Sequence, residues 1–243
     1  MTHPLKALLA GTAAATITAA VLAAAHPTPA NASPPSSGRA PRPIGTQVAT
    51  LTIDASRYAR PGKREGGKVP ARWFGRPSAL PVIASRPGWV RVRLAQRPNG
   101  STTWLRSEDV KLSRTPYRIV IDLSTKHLKL YKGDRGVMSA PAGIGARDDP
   151  TPTGSFFVAF RQGPPRPNLG YGPFILVTSA HSGRIANWER SGDAVIGIHG
   201  PLGRDRAIGT RGARISHGCI RLHNRSLTRL RAVPPGTPID VTH

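Results

Sequence analysis

Glycine and proline punctuate this chain too densely for long helices. Its 243 residues include 26 glycines and 25 prolines, and both end or weaken regular elements unless they stand at turns or edges. Unbroken helix-forming runs are nearly absent beyond the N-terminal segment. What remains is short alternation of apolar and polar residues between turns, so the expected fold is mainly β.

The first 32 residues read differently. Lys6 is followed by an apolar run, Ala7 to Ala25, and then by Ala30-Asn31-Ala32. A basic start, a hydrophobic middle and an Ala-x-Ala site stand in the order of a secretory signal peptide. Cleavage is expected after Ala32, which places the mature protein outside the cytoplasm. A retained membrane anchor is the alternative, and contact with a membrane is expected through this segment alone. Residues 33–45 are rich in Ser and Pro and read as a disordered linker.

From residue 46 to 113 the signals are short strands. Val48 to Ile53 alternates, and Trp89 to Leu94 sets Val90, Val92 and Leu94 opposite Arg91 and Arg93. Pro98-Asn99-Gly100-Ser101 turns the chain into a strand starting at Thr102. A small β-barrel is expected here. A second unit runs from 116 to 242. Its strands are expected at Tyr117–Leu123, His127–Lys132, Val137–Ala142, Ser155–Phe160, Phe174–Thr178 and Ala194–His199, with a last one at Pro238–Val241. One short helix is expected after Leu222, with Asn224 as its N-cap and Leu227, Leu230 and Val233 at helical spacing. The loop from Gln162 to Gly172 is long for a compact domain and reads as an active-site lid.

The formal charge of +23 suits an anionic partner. Zinc-finger spacing, basic heptads and RNP-like aromatic runs are missing from the sequence, so nucleic acid is not the expected partner. Anionic cell-wall polymers fit the charge, and an Arg-rich solvated surface accounts for it equally well.

The lone cysteine lies in Ser216-His217-Gly218-Cys219-Ile220-Arg221-Leu222. A single cysteine makes no internal disulfide, so it is either a buried inert thiol or a free thiol with a role. His199 ends an apolar strand twenty residues earlier. An imidazole near a thiol can take its proton and later return it to a leaving amine. The second nitrogen of His199 needs an orienting acceptor, and the Gly200 carbonyl is the nearest in sequence. Adjacent N–H groups at Gly218 and Cys219 would suit an oxyanion, and Arg221 would favour thiolate. A zinc reading from His199, His217, Cys219 and His223 lacks two pairs at ligand spacing. No metal or organic cofactor is expected.

The series Ile196-Gly-Ile-His-Gly200, then fifteen intervening residues, then Ser216 to Leu222 resembles the catalytic signature of L,D-transpeptidases. Ile119 to Asp134 and Asp149 to Phe156 resemble the same YkuD-type catalytic domain, and Gly88 to Val110 resembles bacterial Src-homology-3-like domains. The resemblance implies a β-sandwich catalytic domain over 116–242. It implies Cys219 as nucleophile and His199 as proton acceptor and donor. Ser216, His217 and Gly218 would shape the site, and Arg221, Gly200 and Tyr171 would contact substrate. The implied substrate is a peptidoglycan stem tetrapeptide, which would lose its terminal D-alanine through a thioester and be joined to a neighbouring stem. Two alternatives stay open: an L,D-carboxypeptidase using the same site, and a non-catalytic wall-binding protein. At one position the sequence departs from the family pattern, with Pro201 where Thr is more usual.

Overall fold

The computed structural model describes residues 45–165, 170–187 and 192–243. The segment read as a signal peptide and all of the segment read as a linker except Gly45 lie outside these residues, as do 166–169 of the long loop. None of the described helices is long and apolar enough to cross a membrane.

Nine strands precede Pro116: β1 (Thr46–Leu51), β2 (Ala55–Arg60), β3 (Lys63–Val69), β4 (Arg72–Trp73), β5 (Arg76–Pro77), β6 (Ala79–Arg86), β7 (Trp89–Arg93), β8 (Thr102–Arg106) and β9 (Val110–Thr115). Seven of them form one sheet in the order β3-β2-β8-β7-β6-β1-β9, and β4 with β5 forms a separate tight hairpin. In β7 the alternation read from sequence holds, with Val90 and Val92 buried and Arg91 exposed. The first strand starts and ends two residues earlier than its alternation suggests.

The second unit contributes β10 (Tyr117–Asp122), β11 (His127–Lys132), β12 (Arg135–Pro141), β13 (Ile144–Gly145), β14 (Gly154–Gln162), β15 (Ile175–His181), β16 (Val195–His199), β17 (Arg214–Ser216), β18 (Ile220–Arg221) and β19 (Pro238–Thr242). Eight pair in the order β12-β11-β10-β19-β14-β15-β16-β18. The sheet curls until its ends meet. Gly143, just past β12, exchanges both backbone hydrogen bonds with Arg221 of β18, each 2.8 Å. Inside the curl lies an apolar core that includes Ile119, Leu128, Phe156, Leu176, Ile198, Ile220 and Leu222.

The only α-helix among the described residues, α1 (Asn224–Arg229), closes this core with Leu227 and runs into a 3-10 turn that buries Leu230. Its N-cap is His223, not Asn224 as the sequence suggested. Asn224 is the first helical residue, and its side chain is turned against two glycines. A Cβ on Gly200 or Gly172 would meet its Oδ1 at 2.7 or 2.6 Å.

Strand β14 is buried on both faces, which is why its sequence reads as a continuous apolar run. Phe156 and Val158 enter the core inside the curl. Phe157, Ala159 and Phe160 enter a second core shared with Leu80, Val90, Val92 and Leu105 of the N-terminal sheet. The described residues therefore form one compact unit. The N-terminal strands pack on the outer face of the curled sheet, and the cysteine lies on that same face.

Candidate active site

Strands β16 and β18 run parallel, pairing Ile198 with Ile220 and His199 with Arg221. Side chains alternate across a strand. Ile198, Ile220 and Leu222 point inward and are fully buried, which sends Gly197, His199, Cys219 and Arg221 to the outer face. Two rows follow from the register. Phe160 pairs with Val177, and Val177 with Gly197. The Gly197 N–H in turn donates to Cys219 Sγ at 3.4 Å. The parallel row continues through Gln162 and Ile175, which also pair, to His199 and Arg221. A glycine at 197 leaves the space between thiol and imidazole open.

Cys219 ends a turn between β17 and β18. Gly218 adopts φ +108°, a conformation that side chains disfavour, and a Cβ there would meet Ile196 Cδ1 at 2.7 Å. Ser216 ties the turn from within: its Oγ donates to the Cys219 carbonyl at 2.6 Å and accepts from the Gly218 N–H at 3.2 Å. The Gly218 amide is thus already engaged, and the expectation that it faces an oxyanion is not met. Gly218 supplies the bend, while the Cys219 amide stays the candidate donor. Thr151 ties the turn from outside, donating from Oγ1 to the Gly218 carbonyl at 2.8 Å and accepting from the Gly145 N–H at 2.9 Å.

His199 is 4 % exposed. Its Nδ1 lies 2.8 Å from the Gly200 carbonyl oxygen, which only accepts, so Nδ1 carries the proton and Nε2 is the basic nitrogen. Burial pushes the His199 pKa down to about 4; the Gly200 carbonyl opposes that shift and Arg221 adds to it. Burial likewise pushes the Cys219 thiol up, against the smaller lowering effects of the Gly197 N–H and Arg221. Arg221 does favour thiolate, as expected, but desolvation outweighs it, and the resting pair is neutral thiol and neutral imidazole.

The remaining candidates fall into two groups. Tyr171 packs edge-on against His199, ring centroids 5.1 Å apart, and its carbonyl accepts the Gly200 N–H at 2.7 Å. Arg221 has a buried Nε with no hydrogen-bond partner among the described residues, beside the thiol, and its Nη1 reaches the Pro201 carbonyl at 3.5 Å. An unsatisfied buried donor at a cavity wall is suited to a substrate oxygen. His217 is 61 % exposed on its side chain, and its Nδ1 lies 2.6 Å from Asp149 Oδ2. Gly200 is buried and does not line the cavity. It was expected to touch substrate, but its two backbone groups hold Tyr171 and His199 instead. Asp149 and Thr151 were not singled out from sequence, although both lie in a stretch that resembled the family. Their partners are 68 and 67 residues away, a proximity that no local pattern encodes.

These side chains open onto a cavity of about 340 Å³ lined by Cys219, His199, Arg221, His217, Tyr171 and Ser216 among others, a size suited to a small ligand. The far wall includes Phe160 and Phe74, the latter from the β4–β5 hairpin.

A family model described as the YkuD L,D-transpeptidase catalytic domain matches residues 116–241. The chain belongs to the L,D-transpeptidase family. A putative L,D-transpeptidase YkuD of Bacillus licheniformis is 37% identical over 128 residues, covering 52% of this chain and 66% of the relative. Its namesake in Bacillus subtilis is 32% identical over 127 residues, with the same coverages. The match thus spans just under two thirds of these L,D-transpeptidases. Among solved structures, an L,D-transpeptidase from Mycobacterium tuberculosis H37Rv is similar at 17% identity, with a TM-score of 0.44 over 61% of this chain and 75% of that one. The catalytic domain of the E. faecium L,D-transpeptidase is similar at 24% identity, with a TM-score of 0.38 over 52% and 96%. The residues that build the cysteine site, from Gly145 to Asn224, all fall inside the L,D-transpeptidase match.

Proposed function

We propose that this protein is a secreted cysteine L,D-transpeptidase acting on peptidoglycan stem tetrapeptides. The observation that carries the reading is the shared outer face, on which the Gly197 amide holds the Cys219 sulfur in the row next to that of His199. His199 Nε2 takes the thiol proton as sulfur attacks the carbonyl of the third stem residue. The Cys219 N–H faces the developing oxyanion, and Arg221 Nε meets a substrate oxygen. His199 then returns the proton to the departing D-alanine amine, leaving a thioester. An amine of a second stem attacks that thioester, loses its proton to His199 and forms a cross-link between two third residues. The thiol regains the proton, so no proton is gained or lost over the cycle. Using a nucleophile divides one amide exchange into two acyl transfers.

A resting neutral pair is consistent with this sequence of steps. Proton transfer and attack are concerted within the substrate complex, where a bound carbonyl supplies the driving force. Asp149 would fix the ring of His217 at the mouth of the site. The apolar and basic N-terminus would direct export, and the basic surface would favour retention on anionic wall polymers.

The test is incubation of purified protein with a stem tetrapeptide and an amine acceptor. Cross-linked dimer is expected. Free tripeptide in its place would make the protein a hydrolase using the same acyl-enzyme, and neither product would remove the enzymatic reading.

A further inference from the structure

The β4–β5 hairpin turns through Phe74 and Gly75, with φ of +48° and +70°, between the paired residues Trp73 and Arg76. Positive φ at both central residues is the sign pattern of a type I′ turn, where Asn-Gly is favoured and a bulky side chain is strained. Phe74 is also 61 % exposed. Local folding thus gains nothing from an aromatic ring here, and burial gains little. What the ring does is line the cavity that holds Cys219. It stands on a rigid base, tilted against Phe160 at 6.2 Å and edge-on to Trp73 at 5.0 Å between centroids.

The position along the cleft is set by the sheet. Phe160, Val177 and Gly197 lie on the neighbouring strands β14, β15 and β16, and Cys219 stands just before β18 on the other side of β16. Three strand spacings put Phe160 about 14 Å from the sulfur. The strand β18 is the last of its sheet, so the cleft runs from Cys219 inward toward Phe74. An extended peptide advances about 3.3–3.6 Å per residue. A donor whose third carbonyl sits at Cys219 would spend about 10 Å on its first three residues. The group that follows, near Phe74, is the sugar to which the stem is attached.

We infer that Phe74 is a specificity residue of the acyl donor site, stacking against the C–H face of the sugar that carries the stem peptide. The inference rests on the proposed reaction, and it gives the N-terminal unit a direct part in substrate choice.

The experiment measures affinity in a Cys219→Ala background, which removes turnover. The probes are the stem tetrapeptide with and without its disaccharide. With Phe74 present, the disaccharide-linked probe is expected to bind about fivefold more tightly than the free one, the scale of one aromatic contact. Phe74→Asn, which suits the left-handed backbone, should erase that advantage while the Tm stays close to the parent's, and Phe74→Tyr should keep it. Equal affinity of the two probes with Phe74 in place, or an equal loss for both in Phe74→Asn, overturns the inference. Turnover of tetrapeptide by the unaltered protein, measured alongside, separates the two claims: turnover without a sugar advantage sinks the subsite alone, and a sugar advantage without turnover sinks the reaction alone.

Discussion

Cys219 and His199 have opposite protonation tendencies from those of a thiolate–imidazolium pair. Burial raises the thiol above its ordinary 9.0 and lowers the imidazole to about 4. Alkylation of Cys219 by iodoacetamide should therefore climb through and beyond pH 9 and show no plateau between about pH 5 and 7, where an ion pair would give one. Arg221→Ala should move that climb to still higher pH, because Arg221 lowers the thiol. The histidine also leaves a mark on stability. Its folded value lies below the ordinary 6.5, so between those values the unfolded chain binds a proton that the folded chain refuses. Stability falls as pH drops through that window, by roughly 3 kcal/mol at most for a shift of this size. His181, buried and also lowered by burial, acts in the same direction. Thermal unfolding from pH 7 to 4 should show the loss, and His199→Gln should show a shallower one. Both partners were legible from sequence because the cysteine and the strand-ending histidine each sit in a contiguous motif. The acceptor on Nδ1 was legible too, since it is the carbonyl of the next residue. The direction of the thiol shift was not, because charge is visible in a sequence and desolvation is not.

The turn that presents the sulfur depends on two side chains and a glycine. Gly218→Ala would force a Cβ into Ile196 at φ +108°, a cost of roughly 2–5 kcal/mol from strain and overpacking. It should lower the Tm and abolish acylation together. Thr151→Val keeps the shape but leaves the Gly218 carbonyl and the Gly145 N–H without their shared hydroxyl. Its cost is about 1–3 kcal/mol, and single-turnover acylation should slow even where the protein remains folded. Such ties escape sequence reading because they join residues far apart in the chain. Long strands such as β11 and β7 were legible from alternation. Two-residue strands such as β13 and β18 were not, because alternation needs more residues than they have. Strand β3, Lys63 to Val69, is exposed almost throughout and carries no apolar face to read.

At the scale of the molecule, the N-terminal strands and the curled sheet share a core and a rim. Arg97 donates to Asp193 Oδ1 at 2.9 Å and to the carbonyls of Ser182 and Ile185 at 2.7 and 2.9 Å. Asn99 exchanges hydrogen bonds with the backbone of His181. Ile185 and Asp193 line the cavity, so this loop braces one of its walls. Residues 45–243 should unfold in one calorimetric transition. Arg97→Ala should lower the Tm by about 2–4 °C, the shift that ~1 kcal/mol produces in a chain of this size. Two separated transitions would show that the units are independent. The sequence suggested two modules but gave no sign that they share a core, since Phe157, Ala159 and Phe160 read as ordinary core residues of their own strand. The central claim, that Cys219 is an acylated nucleophile, is tested most directly by intact mass after incubation with a carbapenem. One covalent adduct that maps to Cys219 and is absent from Cys219→Ser is the predicted result; no adduct on the unaltered protein, or one that persists in Cys219→Ser, would contradict it.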